Sequence, residues 1–204
     1  MYILDWIMVP IQIIIFLFTV YYFLIGVNGL WRKKEKKILT PQKTFAVIVA
    51  AHNESAVIGQ LVDNLKMLDY PKELYDIFVI ADNCTDNTAQ IARDCGAIVH
   101  ERFNDKERGK GFAMEWMFAR LFEMKRKYDA VAIFDADNLV DKRFLLEMNN
   151  RLCKGDKLVQ GYLDAKNPYD TWVSGTFAIA FWVIDHIWHL AKTNIGLSSV
   201  LGGT

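Results

Sequence analysis

Two carboxylates one residue apart, Asp135 and Asp137, directly follow an apolar run. Residues 130–134 have the length and composition of a buried strand, and open α/β sheets bind ligands just beyond the carboxyl ends of their strands. Two like charges this close need a compensating cation, and Mg²⁺ or Mn²⁺ favours carboxylates together with phosphate oxygens. The pair therefore predicts a metal-bound phosphate substrate. The alternative is that Asp137 or Asn138 caps the next helix while Asp135 is solvated.

Charge and cysteine content exclude several classes of protein. The 204 residues carry 24 basic and 24 acidic side chains, so no overall field attracts nucleic acid, and we expect no nucleic-acid partner. Cys84, Cys95 and Cys153 form no C-x-x-C pair, which argues against a disulfide framework and against a zinc site. We interpret them as ordinary thiols in a reducing compartment.

The N-terminal residues 6–31 are almost entirely apolar and predict one transmembrane helix. At 1.5 Å per residue the run is about 39 Å long, which is enough to cross a hydrocarbon core of about 30 Å. A signal peptide is disfavoured because residues 1–5 carry no positive charge. Basic residues follow the run, and the positive-inside rule then places the later residues in the cytoplasm, with the chain a single-pass protein of the cell membrane. These basic residues are Arg32, Lys33, Lys34, Lys36 and Lys37.

The rest of the chain alternates apolar strand patterns with helical patterns. This alternation predicts an α/β fold with a doubly wound, mostly parallel sheet, whose polar turns after the strands meet at one edge. We therefore predict a transmembrane helix with its basic flank at residues 1–37 and one α/β domain at residues 38–204. Strands are predicted at 45–51, 75–81, 97–101, 130–134 and 157–163, and helices at 56–68, 87–95, 112–127 and 141–153.

Residues 171–194 are rich in aromatic side chains and predict an amphipathic helix. Two alternatives stay open for it: the helix packs on the domain core, or it lies in the membrane interface, where aromatic residues are favoured. His186 and His189 are three residues apart without a matching acidic or histidine partner nearby in sequence. We interpret them as surface or core histidines and not as metal ligands.

Four motifs in order along the chain resemble those of the processive and dolichol-type family 2 glycosyltransferases, such as cellulose, hyaluronan and poly-N-acetylglucosamine synthases. The resemblance covers residues 44–204. It implies a GT-A fold, a nucleotide-sugar donor, a divalent metal, a carbohydrate or lipid-linked acceptor, and transfer with inversion at the anomeric carbon. The motifs are Ala50-Ala-His-Asn-Glu54, Asp82-Asn-Cys-Thr-Asp86, Arg108-Gly-Lys-Gly111 and Asp135-Ala-Asp137.

The resemblance also implies which residues hold the nucleoside of the donor. Ala50 and Glu54 match the motif that lines the base and ribose, and Asp82 matches the acid that reads the nucleobase. An ionised aspartate only accepts hydrogen bonds, which suits the imide N–H of a uracil-type base and favours a UDP-sugar. The alternative for Asp82 is an Asx-turn.

A further set of residues is implied for the diphosphate and the metal. Lys110 matches the basic residue beside the diphosphate, where a cation offsets the charge that builds on the leaving group. Asp135 matches the ribose-facing or metal-assisting member of the pair, and Asp137 matches the direct ligand of Mg²⁺ or Mn²⁺, which acts as Lewis acid and template. Arg108 is interpreted as part of a solvated loop.

Leu201-Gly-Gly-Thr204 resembles the family's glycine-rich turn near the acceptor site. Inverting transfer needs a general base, which is expected beyond Thr204, so we expect this chain to be a fragment of a longer synthase. A non-catalytic, membrane-tethered sugar-nucleotide-binding module is one alternative. A nucleotidyltransferase is another, although it would have a glycine-rich, basic loop after the first strand, where this chain has Ala-His-Asn-Glu.

Overall fold

The computed structural model describes residues 3–31 and 38–199, and the chain divides into two compact units. Of the described residues, 38–159 form the sheet unit, and 3–31 with 160–199 form the helical unit. The division into domains at residues 37 and 38 stays a prediction. The basic cluster and the glycine-rich turn at 201–204 lie outside the described residues.

The sheet unit is built on four parallel strands in the order β3-β2-β1-β4. Strand β1 lies inside the sheet because its residues are apolar on both faces, and all of them except Ala50 are buried. The register places Ala51 beside Ala81 and Ala50 beside Asp135, so the carboxyl ends of β1, β2 and β4 are neighbours. The strands are β1 Phe45–Ala51, β2 Tyr75–Asp82, β3 Ile98–Arg102 and β4 Ala130–Asp135.

Helices cover both faces of this sheet. On one face, Val47 and Val49 pack in a core with Leu61 and other residues of α2, α3 and α5. On the other face, Ile48 packs with Met117 and other residues of α4. The predicted doubly wound parallel arrangement is therefore confirmed. The helices of this unit are α2 Ile58–Lys66, α3 Thr88–Asp94, α4 Lys110–Glu123 and α5 Phe144–Cys153.

Strand β4 is less buried than its composition predicts. Ala132 and Phe134 are buried, but Val131 and Ile133 are 36% and 45% exposed. The cause is position: β4 is an edge strand in the described part of the sheet, and α4 packs on β1 and β2. The apolar composition of a strand predicts that it is buried. Whether both of its faces are covered depends on the helices and strands that pack beside it.

The strand predicted at residues 157–163 is wrong, because this segment forms no strand in the structure. A strand needs a partner to satisfy its backbone groups, and none of the four described strands pairs with it. The backbone N–H of Leu163 donates instead to Asp185 Oδ2 at 2.9 Å. The composition of the segment alone does not show whether a partner strand is present.

The helical unit joins an N-terminal helix, α1 (Ile3–Val27), to a helix near the end of the chain. The second helix comprises α6 (Trp172–Val183), a π-helical segment (Ile184–His189) and α7 (Leu190–Asn194). Gly29, just after α1, allows close approach, since a Cβ there would lie 2.3 Å from the carbonyl oxygen of His186. Asn194 Nδ2 completes the contact by donating to the carbonyls of Asn28 and Trp31, at 2.8 and 2.7 Å.

A helix forms across the predicted range 171–194, but its first part, α6, is not amphipathic, contrary to the prediction. Its sequence, Trp-Val-Ser-Gly-Thr-Phe-Ala-Ile-Ala-Phe-Trp-Val, places apolar side chains all around the helix, and none of its residues is buried. An amphipathic helix would have a polar face, whereas a helix that is apolar all round is typical of an apolar environment. Whether α6 lies on the domain core or in the membrane interface stays a prediction.

Candidate functional site

A cleft of about 360 Å³ opens in the sheet unit where β1 and β2 end, which is within the range of small-molecule sites. Three of the residues predicted for the donor site, Ala50, Asp82 and Lys110, lie together in its wall although they are far apart in sequence. The prediction that polar turns after the strands meet at one edge thus agrees with the geometry. The full lining is Ala50, Ala51, His52, Asp82, Asn83, Arg108, Gly109, Lys110 and Ala113.

Asp82 ends β2 with a buried carboxylate, since the residue is only 6% exposed. Its Oδ1 accepts hydrogen bonds from Arg102 Nη1 at 2.7 Å and from Asn83 Nδ2 at 3.3 Å. No group in the described part of the chain bonds the other oxygen, Oδ2. The Asx-turn alternative is not observed, because the carboxylate bonds side chains and no backbone N–H. An acceptor oxygen is therefore left for a ligand in the cleft.

Arg102 is a residue that the sequence analysis missed. Its side chain is 2% exposed and pairs with Asp82 inside the protein. The register of β2 and β3 places the two residues directly beside each other. The available signal was an arginine directly after the third predicted strand, residues 97–101, at the same edge as Asp82.

The turn after β1 places His52 in the wall of the cleft and leads into helix α2. His52 Nδ1 lies 2.7 Å from the carbonyl oxygen of Asp82. Since a carbonyl only accepts, Nδ1 carries the hydrogen, and Nε2 of the neutral ring is an acceptor. The Glu54 carbonyl accepts from Ile58 N at 3.0 Å near the start of α2, and Glu54 does not line the cleft. Glu54 thus positions the turn in this structure.

Asp86 links the first two turns. Its carboxylate accepts from the hydroxyl of Thr88 at 2.5 Å and from Ser55 N at 3.2 Å. The hydrogen bond from the Thr88 side chain is the main cause that lowers the pKa of Asp86 to about 2. Asp86 is therefore ionised at neutral pH and holds the loop after β2 against the turn after β1.

Positive groups meet at the beginning of α4. Gly109 precedes the helix at φ +109°, a conformation that glycine adopts readily, and it brings the chain to the cleft. Arg108 is exposed, as a solvated loop residue would be, but it also lines the cleft. With Lys110 and the N-terminal backbone N–H groups of α4, it makes this side of the cleft suitable for an anion.

The acidic pair lies beside this positive wall. Lys110 Nζ donates to Asp135 Oδ1, and Asp137 is exposed in the turn that follows β4. The capping alternative is not observed, because the next helix, α5, begins at Phe144 with Arg143 as its N-cap residue. Asn138 instead closes the turn, with its Oδ1 accepting from Asp135 N at 3.0 Å.

The donor set of this pair fits a divalent cation. Among residues 3–31 and 38–199, no group of three histidine, cysteine or acidic side chains could hold a metal. Asp135 and Asp137 would supply one or two hard carboxylate ligands, and Mg²⁺ and Mn²⁺ sites of that kind take their remaining ligands from phosphate oxygens and water. The metal prediction thus depends on a phosphate ligand in the cleft.

Comparison with known proteins adds independent findings. Residues 41–195 match the sequence model of a family described as "Glycosyltransferase like family 2". The mannosyltransferase PcManGT from Pyrobaculum calidifontis, solved in complex with GDP-Man and Mn²⁺, superimposes with a TM-score of 0.55 at 23% identity. This match covers 76% of the present chain and 45% of the mannosyltransferase. It supports the predicted GT-A fold.

Similar sequences include a synthase and a hexosyltransferase. Beta-monoglucosyldiacylglycerol synthase of Nostoc sp. is 32% identical over 122 residues, which is 57% of this chain and 25% of the synthase. The low-salt glycan biosynthesis hexosyltransferase Agl6 of Haloferax volcanii is 34% identical over 113 residues, or 55% and 25% of the two chains. RfbJ of Shigella flexneri is 30% identical over 64% of this chain and 93% of RfbJ. The chain thus spans a quarter of the length of the first two relatives.

Proposed function

This chain belongs to glycosyltransferase-like family 2, and we propose that it binds a UDP-sugar with Mg²⁺ or Mn²⁺ and transfers the sugar, with inversion at the anomeric carbon, to a carbohydrate or lipid-linked acceptor. One observation carries the proposal. A base acceptor, Asp82, and a cation for the diphosphate, Lys110, line a single cleft at the strand ends. The acidic pair follows the neighbouring strand, with Asp135 bonded to Lys110.

The base end of the cleft is proposed at Asp82. Its Oδ2 would accept the imide N–H of uracil, while cytosine presents an acceptor at the same position and would be repelled. His52 and Ala50 border the same space and would contact the nucleoside. This chemistry also accepts the N1–H of guanine, so GDP is the second nucleotide to compare.

The diphosphate end is proposed at the start of α4. Lys110 and Arg108 would offset the negative charge of the diphosphate, which grows when UDP leaves the sugar. When bound between Asp135, Asp137 and the diphosphate, the divalent cation would supply Lewis-acid chemistry at the leaving group. The acceptor classes follow from the relatives, whose names include a glycolipid synthase and a glycan hexosyltransferase.

The first test is calorimetric titration of the full chain, in detergent or nanodiscs, with UDP. We expect binding in Mn²⁺ and a loss of affinity of at least about 10-fold when EDTA removes the metal, since one or two metal-bridged contacts to phosphate are lost. ADP and CDP serve as controls and should bind more weakly. A folded chain that binds none of UDP, GDP, ADP or CDP would contradict the proposal. Metal-independent UDP binding would remove its metal component.

The membrane component of the proposal rests on the helical unit. Residues Trp6–Leu30 form a helix long and apolar enough to cross a membrane, and residues 6–24 are all exposed. We propose that this helix spans the cell membrane with the sheet unit in the cytoplasm. We also propose that α6 lies within the apolar part of the membrane beside it, because α6 is apolar all round and exposed and its continuation contacts the end of α1.

Environment-sensitive labelling can test the position of α6. Phe177 on α6 is 61% exposed and Phe122 on α4 is 71% exposed, so Phe177→Cys and Phe122→Cys make a matched pair in a chain with the native cysteines replaced by serine. In nanodiscs, we expect an NBD label at residue 177 to be blue-shifted and quenched by lipid-borne quenchers. The label at residue 122 should report water. An aqueous signal from both positions would refute the placement of α6.

A further inference from the structure

We propose that Arg102 is a positioning residue that sets the base preference of the cleft. By holding Oδ1 of Asp82, Arg102 leaves Oδ2 as a fixed acceptor for the imide N–H of uracil or guanine. The inference rests on the proposed function, because it requires a nucleotide base at Asp82. It adds a residue that would not touch the nucleotide but would decide which nucleotide binds.

The contacts around the pair restrict the carboxylate to one orientation. Arg102 Nη1 donates to Asp82 Oδ1 at 2.7 Å, and Asn83 Nδ2 approaches the same oxygen at 3.3 Å. Both side chains of the ion pair are nearly inaccessible to water, with 2% and 8% exposed. Both donors are on Oδ1, and rotation of the carboxyl group would break the buried charge-assisted bond. The other oxygen of Asp82, Oδ2, is therefore held in a fixed position for a ligand in the cleft.

Stability alone does not explain this arginine. Burying an ion pair costs desolvation energy that the attraction between the charges often does not repay. Arg102 Nε, moreover, is buried without a hydrogen-bond partner in the described residues, which adds to the cost. Replacing a buried ion pair by apolar side chains of similar volume is often neutral or stabilising for the fold. The ion pair is therefore better explained by its effect on the position of the Asp82 carboxylate.

Arg102 also connects the base end of the cleft to the loop that leads into α4, which begins at Lys110. Its Nη2 donates to the Glu107 carbonyl at 2.8 Å, and its own carbonyl accepts from Asn83 N at 2.7 Å. Asn83 and Asn104 complete the connection, with Asn83 Oδ1 accepting from Asn104 N at 2.8 Å. The base acceptor and the loop before α4 thus share one arginine as support.

The consequence for specificity follows from the chemistry of the carboxyl group. An ionised Asp82 offers only acceptors, so it pairs with uracil N3–H and opposes cytosine N3, which is also an acceptor. Without Arg102, the charge-assisted bond that holds Oδ1 of Asp82 is lost, so the carboxyl group can rotate and Oδ2 is no longer held in one position for the base. Removing Arg102 would therefore narrow the preference for uracil.

The test compares the UDP and CDP affinities of the full chain in Mn²⁺ for Arg102→Met and Arg102→Lys. We expect the unmodified chain to prefer UDP by roughly 10- to 100-fold, the value of one hydrogen bond to a charged group. Arg102→Met should reduce that ratio to about 3-fold or less, whereas Arg102→Lys, which keeps a charged hydrogen-bond donor, should recover most of it. The ratio of the two affinities is the readout because a general loss of packing would weaken the binding of UDP and of CDP equally.

The matched control is Arg93→Met. Arg93 pairs with Glu101, the neighbour of Arg102 in β3, but this pair is at the surface, with 42% and 38% of the side chains exposed. A surface pair of this kind contributes little, so the UDP to CDP ratio should not change. An unchanged ratio in a folded Arg102→Met chain would overturn the inference, as would an equal change in Arg93→Met.

A double-mutant cycle distinguishes a specific effect of Arg102→Met on Asp82 from a general destabilisation of the fold. In an Asp82→Asn background, Arg102→Met should have almost no further effect on the ratio, because the carboxylate on which it acts is gone. An equal effect in both backgrounds would overturn the inference. If Arg102→Met does not fold, Arg102→Gln replaces it in the same cycle with the same expected results. Failure of the unmodified chain to bind any nucleotide would instead refute the proposed function.

Discussion

Replacing Asp137 by asparagine is expected to weaken Mn²⁺-dependent UDP binding by about 100-fold, the value of roughly 3 kcal/mol for losing one charged ligand. Asparagine keeps the shape of the side chain but presents a neutral oxygen, which holds a hard cation less strongly than a carboxylate does. Titrating UDP at several Mn²⁺ concentrations measures the effect. If the metal is the cause, high Mn²⁺ should restore part of the affinity.

Asp141→Asn is the control for this substitution. Asp141 lies shortly after Asp137 in the chain, is exposed, and accepts from Arg143 N at 2.8 Å just before α5. We expect its replacement to leave UDP affinity and Mn²⁺ dependence unchanged. Identical UDP affinities for the two variants would show that Asp137 is not a metal ligand. The turn after β4 would then have a structural role only.

The sequence predicted the centre of the fold well because its strands carry redundant information. Strand β1 is apolar on both faces and occupies residues 45–51, the range predicted from the sequence. β2 extends one residue further than predicted, to Asp82, and the predicted position of that acid at a strand end still holds. Burial on two faces requires a continuous apolar run, so such strands are recognisable from composition.

Two of the failures share a physical cause, which is dependence on partners distant in the chain. The segment at residues 157–163 has strand composition but no ladder partner among the four described strands. The missing polar face of α6, in contrast, can be read from its own residues. The ion pair of Asp82 and Arg102 depends on the register between β2 and β3. Spacing along the chain contains no information about that register.

Lys110→Met is expected to weaken UDP binding by about 10- to 100-fold, while binding of uridine changes by less than about 2-fold. The side chain is already held against Asp135 at the cleft, so little conformational entropy is lost when it meets a diphosphate. Methionine keeps most of the apolar stem and removes the charge. Titration with UDP, UMP and uridine measures how the loss grows with each phosphate.

Lys106→Met separates a specific contact from a general field. Lys106 is in the same loop, is exposed and does not line the cleft, so its charge is screened over a distance of about 10 Å at 0.1 M salt. If Lys110 contacts the diphosphate, Lys110→Met should lose UDP affinity at both low and high salt. Lys106→Met should then lose UDP affinity only slightly, and only at low salt. Equal losses for the two variants, disappearing together in high salt, would mean that the loop attracts the nucleotide by its overall charge. The diphosphate would then have to be placed elsewhere along the cleft.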